Sequence, residues 1–249
     1  MEPKSPSPPQ EPEAVAPPPP RWGLTDFFVG LVGGLALATL LAQLWITVTG
    51  EEELGLGGQA FSQVGLWTGM VGAAVVASRR KGAGTLGEDF GFRIRWSDLW
   101  IGVLVAVAVQ LLVLPGVAFL LRPLLGEPEV SGPVQDLVDE ARGPAFLGLV
   151  ISVAVGAPIV EELFYRGLLL RSLQRRVPNG LAVALSAVAF GLSHGSGLPV
   201  EAVLLVIISL TVFGAVLAVL AIRTGRLGLS IVTHAVFNLF TLLYLTFTG

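Results

Sequence analysis

In the apolar C-terminal half of this chain, six polar side chains have the types and spacing to do chemistry: Glu161, Glu162, Arg166, His194, His234 and Asn238. The first three fall in Val160-Glu161-Glu162-Leu163-Phe164-Tyr165-Arg166, between the apolar runs Phe146 to Val160 and Gly167 to Leu170. A charged side chain at the centre of a bilayer costs about 2.5–3.5 kcal/mol on insertion scales. Three of them within six residues therefore mark a site rather than filler. The chain has two histidines. His194 closes Phe190-Gly191-Leu192-Ser193-His194, and His234 opens His234-Ala235-Val236-Phe237-Asn238. A single histidine in a membrane helix often does no more than hydrogen-bond a neighbouring helix. Two of them accompanied by two glutamates, an arginine and an asparagine point to a polar cavity.

Spacing separates the two glutamates. Glu162 and Arg166 are four apart with the acid first, the favourable order for an intrahelical ion pair. Glu161 points about 100° away from that pair and is left as a candidate general base. His234 and Asn238 are also four apart and share a helix face.

The elements that hold these residues are membrane spans. The 249 residues are 53% hydrophobic and 13% charged, with a mean hydropathy of +0.77. Soluble domains carry about 25% charged residues, so the composition predicts an all-α, polytopic transmembrane helix bundle. A net charge of −3 shows no basic footprint, which argues against nucleic acid as a partner. The chain contains no cysteine, which excludes disulfides, thiolate metal sites and a cysteine nucleophile.

Residues 1–20 hold nine prolines and no apolar stretch, which predicts a disordered, Pro-rich cytoplasmic tail. Arg21-Trp22 then stands where an interfacial anchor would. N-terminal transmembrane helices and loops are expected over 21–143, and the catalytic helices over 144–249. The hydropathy pattern places spans near Leu24–Thr49, Gln59–Ser78 and Leu99–Leu121, the last with a kink at Pro115. Asp26 is expected to cap the first span, and its small residues, Gly30, Gly33, Gly34, Ala36 and Ala38, permit close helix packing. A fourth span starts near Pro144 and carries the Glu161 motif. A short apolar segment, Leu181–His194, follows, then spans over Glu201–Ile222 and Leu229–Phe247. That makes about seven spans, or eight with a short interfacial helix over Pro133–Ala141. Basic clusters at Arg79–Arg95, Arg171–Arg176 and Arg223–Arg226 alternate with acidic loops at Glu51–Glu53 and Glu127–Glu140. The positive-inside bias then puts the N-terminus in the cytoplasm.

Depth can be read from the same pattern. Pro178-Asn179-Gly180 is a turn signal, with Glu161 17 residues before Pro178 and His194 16 after it. At about 1.5 Å per residue, two antiparallel arms bring both side chains to one depth. His234 and Asn238 enter from the same side after Arg226. The helix breaker Gly195-Ser196-Gly197-Leu198-Pro199 follows His194: at membrane depth its irregular backbone needs a hydrated or protein-lined cavity, and the alternative is a loop at the outer surface.

Glu161-Glu162-x-x-x-Arg166, Phe190-x-x-x-His194 and His234-x-x-x-Asn238 together resemble the CPBP family, which comprises CAAX-prenyl-protease-like intramembrane endopeptidases and bacteriocin-processing relatives. The resemblance covers roughly residues 144–245. It implies a glutamate-dependent peptidase working in the membrane without a cofactor. Glu161 would activate a water that His194 positions, His234 and Asn238 would stabilise the oxyanion, and Glu162 and Arg166 would support them. The substrate it implies is a membrane-associated peptide or a prenylated protein, met among membrane lipid, and the Gly-, Ala- and Val-rich composition fits a bacterial cell membrane. Three other readings compete. Glu161, His194 and His234 could ligate Zn, although the chain has no HExxH motif. A proton-coupled transporter also buries Glu and His, and a non-catalytic membrane scaffold could use the same cavity.

Overall fold

The computed structural model describes residues 20–128, 130, 132–195 and 200–248. Residues 1–19 of the Pro-rich segment and Ser196–Pro199 of the expected helix breaker lie outside the described residues. Among those described, all regular structure is helical. The helices are α1 (Leu24–Thr49), α2 (Leu56–Lys81), α3 (Leu86–Phe90), α4 (Trp96–Leu125), α5 (Gly132–Glu140), α6 (Pro144–Gln174), α7 (Asn179–Leu192), α8 (Val200–Thr224) and α9 (Gly228–Thr248). Of these, α1, α2, α4, α6, α8 and α9 are long and apolar enough to cross a membrane. The chain is an integral membrane protein built as a polytopic helix bundle. The seventh expected span is α7, an apolar helix of 14 residues. At about 1.5 Å per residue it is roughly 21 Å long, short of the ~30 Å hydrocarbon layer. Its C-terminal end, where His194 follows, therefore stops within the apolar depth. The short helix α5 stands where an interfacial one was expected.

The pair α1–α2 is close because glycines remove the side chains between the two axes. A Cβ on Gly34 would come within 2.7 Å of the Leu66 carbonyl, and one on Gly65 within 2.7 Å of the Ala38 nitrogen. Gly33, expected to serve the same purpose, faces open space. The cap of α1 also differs from expectation. Gly23 occupies the N-cap, and Asp26 reaches back from the first turn to accept its N–H at 2.9 Å while pairing with Lys81 at 2.7 Å.

Two ends of the bundle carry opposite charge. At one, Arg171 donates to the Gly225 carbonyl at 2.8 Å, Arg226 pairs with Asp98, and Arg175 donates to the Trp22 carbonyl. The Gly228 N–H donates to the Arg93 carbonyl at 3.1 Å, so all three basic clusters meet there. At the other, the Leu56 N–H donates to Glu140 at 2.8 Å, joining the two acidic loops. Trp22 is not an exposed anchor. It is buried, donates to Asp89 at 3.0 Å, and lies under the Arg175 guanidinium, 3.9 Å from the ring centroid.

Long helices here are not uniform. In α4 the turn Val109–Val113 widens to i→i+5 hydrogen bonding just before Pro115, whose missing N–H breaks the ladder. In α6 the same widening occurs over Ser152–Gly156, ahead of Pro158, and over Glu162–Leu170. Such π-type turns are often found at functional sites, and the second one begins at the Glu161–Glu162 pair.

Candidate active site

Glu162 and Arg166 lie on the widened stretch of α6 and are both fully buried. Arg166 Nη1 donates to Glu162 Oε1 at 2.9 Å, and Nη2 donates to the Gly214 carbonyl of α8 at 3.1 Å. The guanidinium also stands 4.3 Å above the Phe190 ring centroid. A buried charge is tolerated when it is paired and hydrogen-bonded, and Arg166 meets both conditions. The expected ion pair is present. Glu162 Oε1 has a second partner that residue spacing does not reveal: His234 Nδ1, at 3.1 Å.

These contacts fix how the imidazoles are presented. A carboxylate only accepts, so His234 donates from Nδ1 to Glu162 and turns Nε2 the other way. His194 Nδ1 lies 2.8 Å from the Phe190 carbonyl, also an acceptor only, so it too carries its hydrogen on Nδ1. Both Nε2 atoms lie 3.8 Å from one oxygen, Glu161 Oε2. That oxygen is buried and has no hydrogen-bond partner among the described residues. With both rings neutral, three lone-pair-bearing atoms face one another. Such a cluster is satisfied by a donor with more than one hydrogen, by an extra proton or by a cation.

Aromatic rings fix the histidines. Phe190 lies 4.6 Å from His194 and edge-on to His234 at 5.6 Å, while Phe213 packs edge-on to His234 at 5.5 Å. Asn238, one turn beyond His234, donates to the Val153 carbonyl at 2.8 Å. That carbonyl belongs to the first widened turn of α6. Ser186 of α7 donates to the Tyr165 carbonyl, in the second, at 3.1 Å. Polar side chains of α9 and α7 thus take up carbonyls in the widened turns, as buried backbone groups require.

Beside Glu161 and His194 opens an apolar cavity of about 700 Å³. Phe27 and Leu31 of α1, Trp67 and Met70 of α2, and Tyr165 and Leu169 of α6 line it. Phe28 and Leu192 at its edge are 56% and 59% exposed, so the cavity opens sideways, where a bilayer's acyl chains would lie.

All six residues singled out in the sequence come together: Glu161 with His194 and His234, Glu162 with Arg166 and His234, and Asn238 one turn away. Sequence reasoning missed Tyr165, Phe213, Gly214 and Val153. Tyr165 lies inside the motif and could have been suspected. The other three act through ring position or backbone carbonyls and leave no mark in residue type. Among the described residues, no three His, Cys, Asp or Glu side chains are grouped as a metal ion would need.

Residues 143–240 match the family model for the Rce1-like type II CAAX prenyl endopeptidases. The matched segment contains all six site residues. No curated protein and no solved structure matches the chain.

Proposed function

From the match of residues 143–240 to the Rce1-like type II CAAX prenyl endopeptidase family model, we propose that this chain is an intramembrane glutamic endopeptidase. The observation that carries the reading is the convergence of both Nε2 atoms on Glu161 Oε2 at 3.8 Å. Glu161 takes a proton from a water as its oxygen attacks the scissile carbonyl, a general-base step. The new C–O bond leaves an oxyanion, and collapse breaks the C–N bond. The amine leaves with the proton held by Glu161. His194, set by the Phe190 carbonyl, orients the water through Nε2. His234 keeps its Nδ1–H on Glu162 and, when Nε2 carries the extra proton that the cluster of acceptors can take up, donates it to the oxyanion. Asn238 adds the amide hydrogen not used on Val153. Glu162 and Arg166 hold His234 in place.

The cavity favours a substrate with an apolar arm. Its hydrocarbon lining and lateral opening suit a peptide delivered from the bilayer, either lipidated, as a prenylated protein is, or itself apolar. The gathering of the basic clusters at one end supports a cytoplasmic N-terminus.

A zinc-dependent peptidase using Glu161, His194 and His234 is the second reading: the three face one another as acceptors, although they are not drawn together as a metal-ligand set among the described residues. Zinc supplies a water of lowered pKa in such sites. The test is cleavage of prenylated and unmodified membrane peptides by purified chain in nanodiscs, with metal content measured alongside. Wild type should cleave, and Glu161→Ala should not while remaining folded. Normal cleavage by Glu161→Ala would refute the mechanism. Stoichiometric zinc, with activity lost on chelation, would replace it by the second reading. Absence of any cleavage across the panel would favour a scaffold or a transporter.

A further inference from the structure

We infer that the basic end of the bundle carries a second binding site, for the phosphodiester headgroup of an anionic phospholipid. A cavity of about 410 Å³ opens there, walled by Arg93, Arg95, Arg171 and Arg226, with Gly91 and Glu88 beside them. Three separate parts of the chain form it: the link between α3 and α4, the end of α6, and the turn between α8 and α9.

The site is built rather than incidental. Gly91 adopts a left-handed φ of 68°, and a Cβ on it would come within 2.6 Å of the Gly225 carbonyl and 2.9 Å of Arg226 Cα. The absence of a side chain lets the two turns touch. Leu227 N–H donates to the Gly91 carbonyl at 2.8 Å, and Gly228 N–H to the Arg93 carbonyl at 3.1 Å. The arginines are thus presented on pinned backbone.

Their charge is under-compensated. Asp98 is buried, pairs with Arg226, and accepts the Arg95 N–H at 2.8 Å. Glu88 accepts from Thr85 at 2.9 Å within the first turn of α3. Arg171 spends one N–H on Gly225. The Arg93 and Arg95 side chains are exposed and make no ion pair or hydrogen bond with another described residue. Four guanidiniums therefore face two carboxylates that are already engaged. Guanidinium groups bind phosphate oxygens in pairs, as a fork.

Depth selects a lipid over a free anion. Ile94, Trp96 and Trp100, next to Arg93 and Arg95, are 55%, 75% and 64% exposed. Exposed tryptophans beside an apolar helix settle at headgroup level, which places the arginines among lipid phosphates. Basic pockets between membrane helices bind such headgroups. A phosphodiester bridging Arg171 and Arg226 would also tie α6 to α9, the helices that carry Glu161 and His234.

The test is lipid binding to the full chain in neutral detergent, followed by native mass spectrometry, and it does not depend on any peptidase activity. Phosphatidylglycerol should bind more tightly than phosphatidylcholine. Arg93→Gln with Arg95→Gln should weaken phosphatidylglycerol binding roughly ten- to thirtyfold, and Arg79→Gln with Arg80→Gln, at the same end outside the pocket, less than about threefold. Arg93→Lys with Arg95→Lys keeps the charge but loses the fork, and should bind more tightly than the glutamine pair and less tightly than wild type, which guards against misfolding of the glutamine pair. Equal binding by the glutamine pair and wild type overturns the site, and so does equal weakening by both glutamine pairs. Inorganic phosphate binding as tightly as phosphatidylglycerol would overturn the lipid assignment.

Discussion

His194 Nε2 lies 3.8 Å from Glu161 Oε2, although the two residues stand on opposite arms of the turn at Pro178. The short helix α7 carries His194 back to the level of Glu161 and stops there. Replacing Glu161 with Gln keeps the shape of the side chain and removes the base. Peptide hydrolysis should then fall by roughly 10²–10⁴-fold, with little change in melting temperature. Progress curves for a cleaved substrate, alongside thermal denaturation, check both halves. A melting point that drops with the activity would mean that Glu161 is structural.

Asn238 distinguishes a strut from a participant. Asn238→Ala loses the bond to Val153 and any hydrogen aimed at an oxyanion. A donor of that kind is worth about 10²–10³ in kcat, whereas loss of one neutral hydrogen bond costs only about 1 kcal/mol of stability. A fall in kcat of that size with KM nearly unchanged is expected. A stability loss alone, with kcat intact, assigns Asn238 to holding the first widened turn of α6.

Arg166 is enclosed, and its removal leaves Glu162 charged in an apolar interior. Arg166→Ala should destabilise the fold by about 3–5 kcal/mol, read as a large drop in melting temperature in detergent. Arg166→Lys should recover only part of the loss, because an ammonium cannot both fork to Glu162 and Gly214 and stack on Phe190. Full recovery by Lys would contradict that account.

The α1–α2 contact offers a matched pair of changes. Gly34→Ala pushes a methyl to within 2.7 Å of the Leu66 carbonyl, while Gly33→Ala meets nothing. The first should cost about 1–3 kcal/mol; the second should leave the melting temperature where it was or raise it slightly. Equal effects from the two would mean that the helices are further apart than described.

Asp89 gives the fold an acid limit. Burial alone would raise its pKa, but hydrogen bonds from Ser78, Ala83 N–H, Trp22 and Gly84 N–H outweigh burial and hold it below the usual carboxylate value. A depressed folded pKa means that the carboxylate stabilises the fold above its unfolded pKa, and that this stability is lost as pH falls through the folded value. Asp89→Asn should therefore be less stable than wild type by about 1–3 kcal/mol at neutral pH. The gap should close below about pH 4, where aspartate begins to protonate. A gap that persists unchanged at low pH would refute the assignment.

Much of this could be read in the residues, because hydrophobic runs and charge alternation are local signals. The six spanning helices, the short α7 and the pairing of Glu162 with Arg166 all follow from such patterns. So does the shared depth of Glu161 and His194, which needs only a turn and a count of residues. Three features did not show. The bond from His234 to Glu162 joins residues 72 apart, and no spacing rule reaches that far. The widened turns of α6 depend on prolines and on partners from α7 and α9 acting together. Trp22 looked like an anchor because tryptophan favours interfaces. Asp89 and Arg175 override that preference by giving its indole N–H and its ring a place inside.

The cavity beside Glu161 is assembled from two unequal sources. The wall that carries Glu161 and His194 comes from α6 and the end of α7, within the family match at residues 143–240. Its opposite wall, with Phe27, Leu31, Trp67 and Met70, comes from α1 and α2, outside that match. In the proposed enzyme, bond-breaking and substrate choice are thus inherited on separate stretches of chain. Exchanging the first two helices for those of a relative would retarget the enzyme without rebuilding its chemistry.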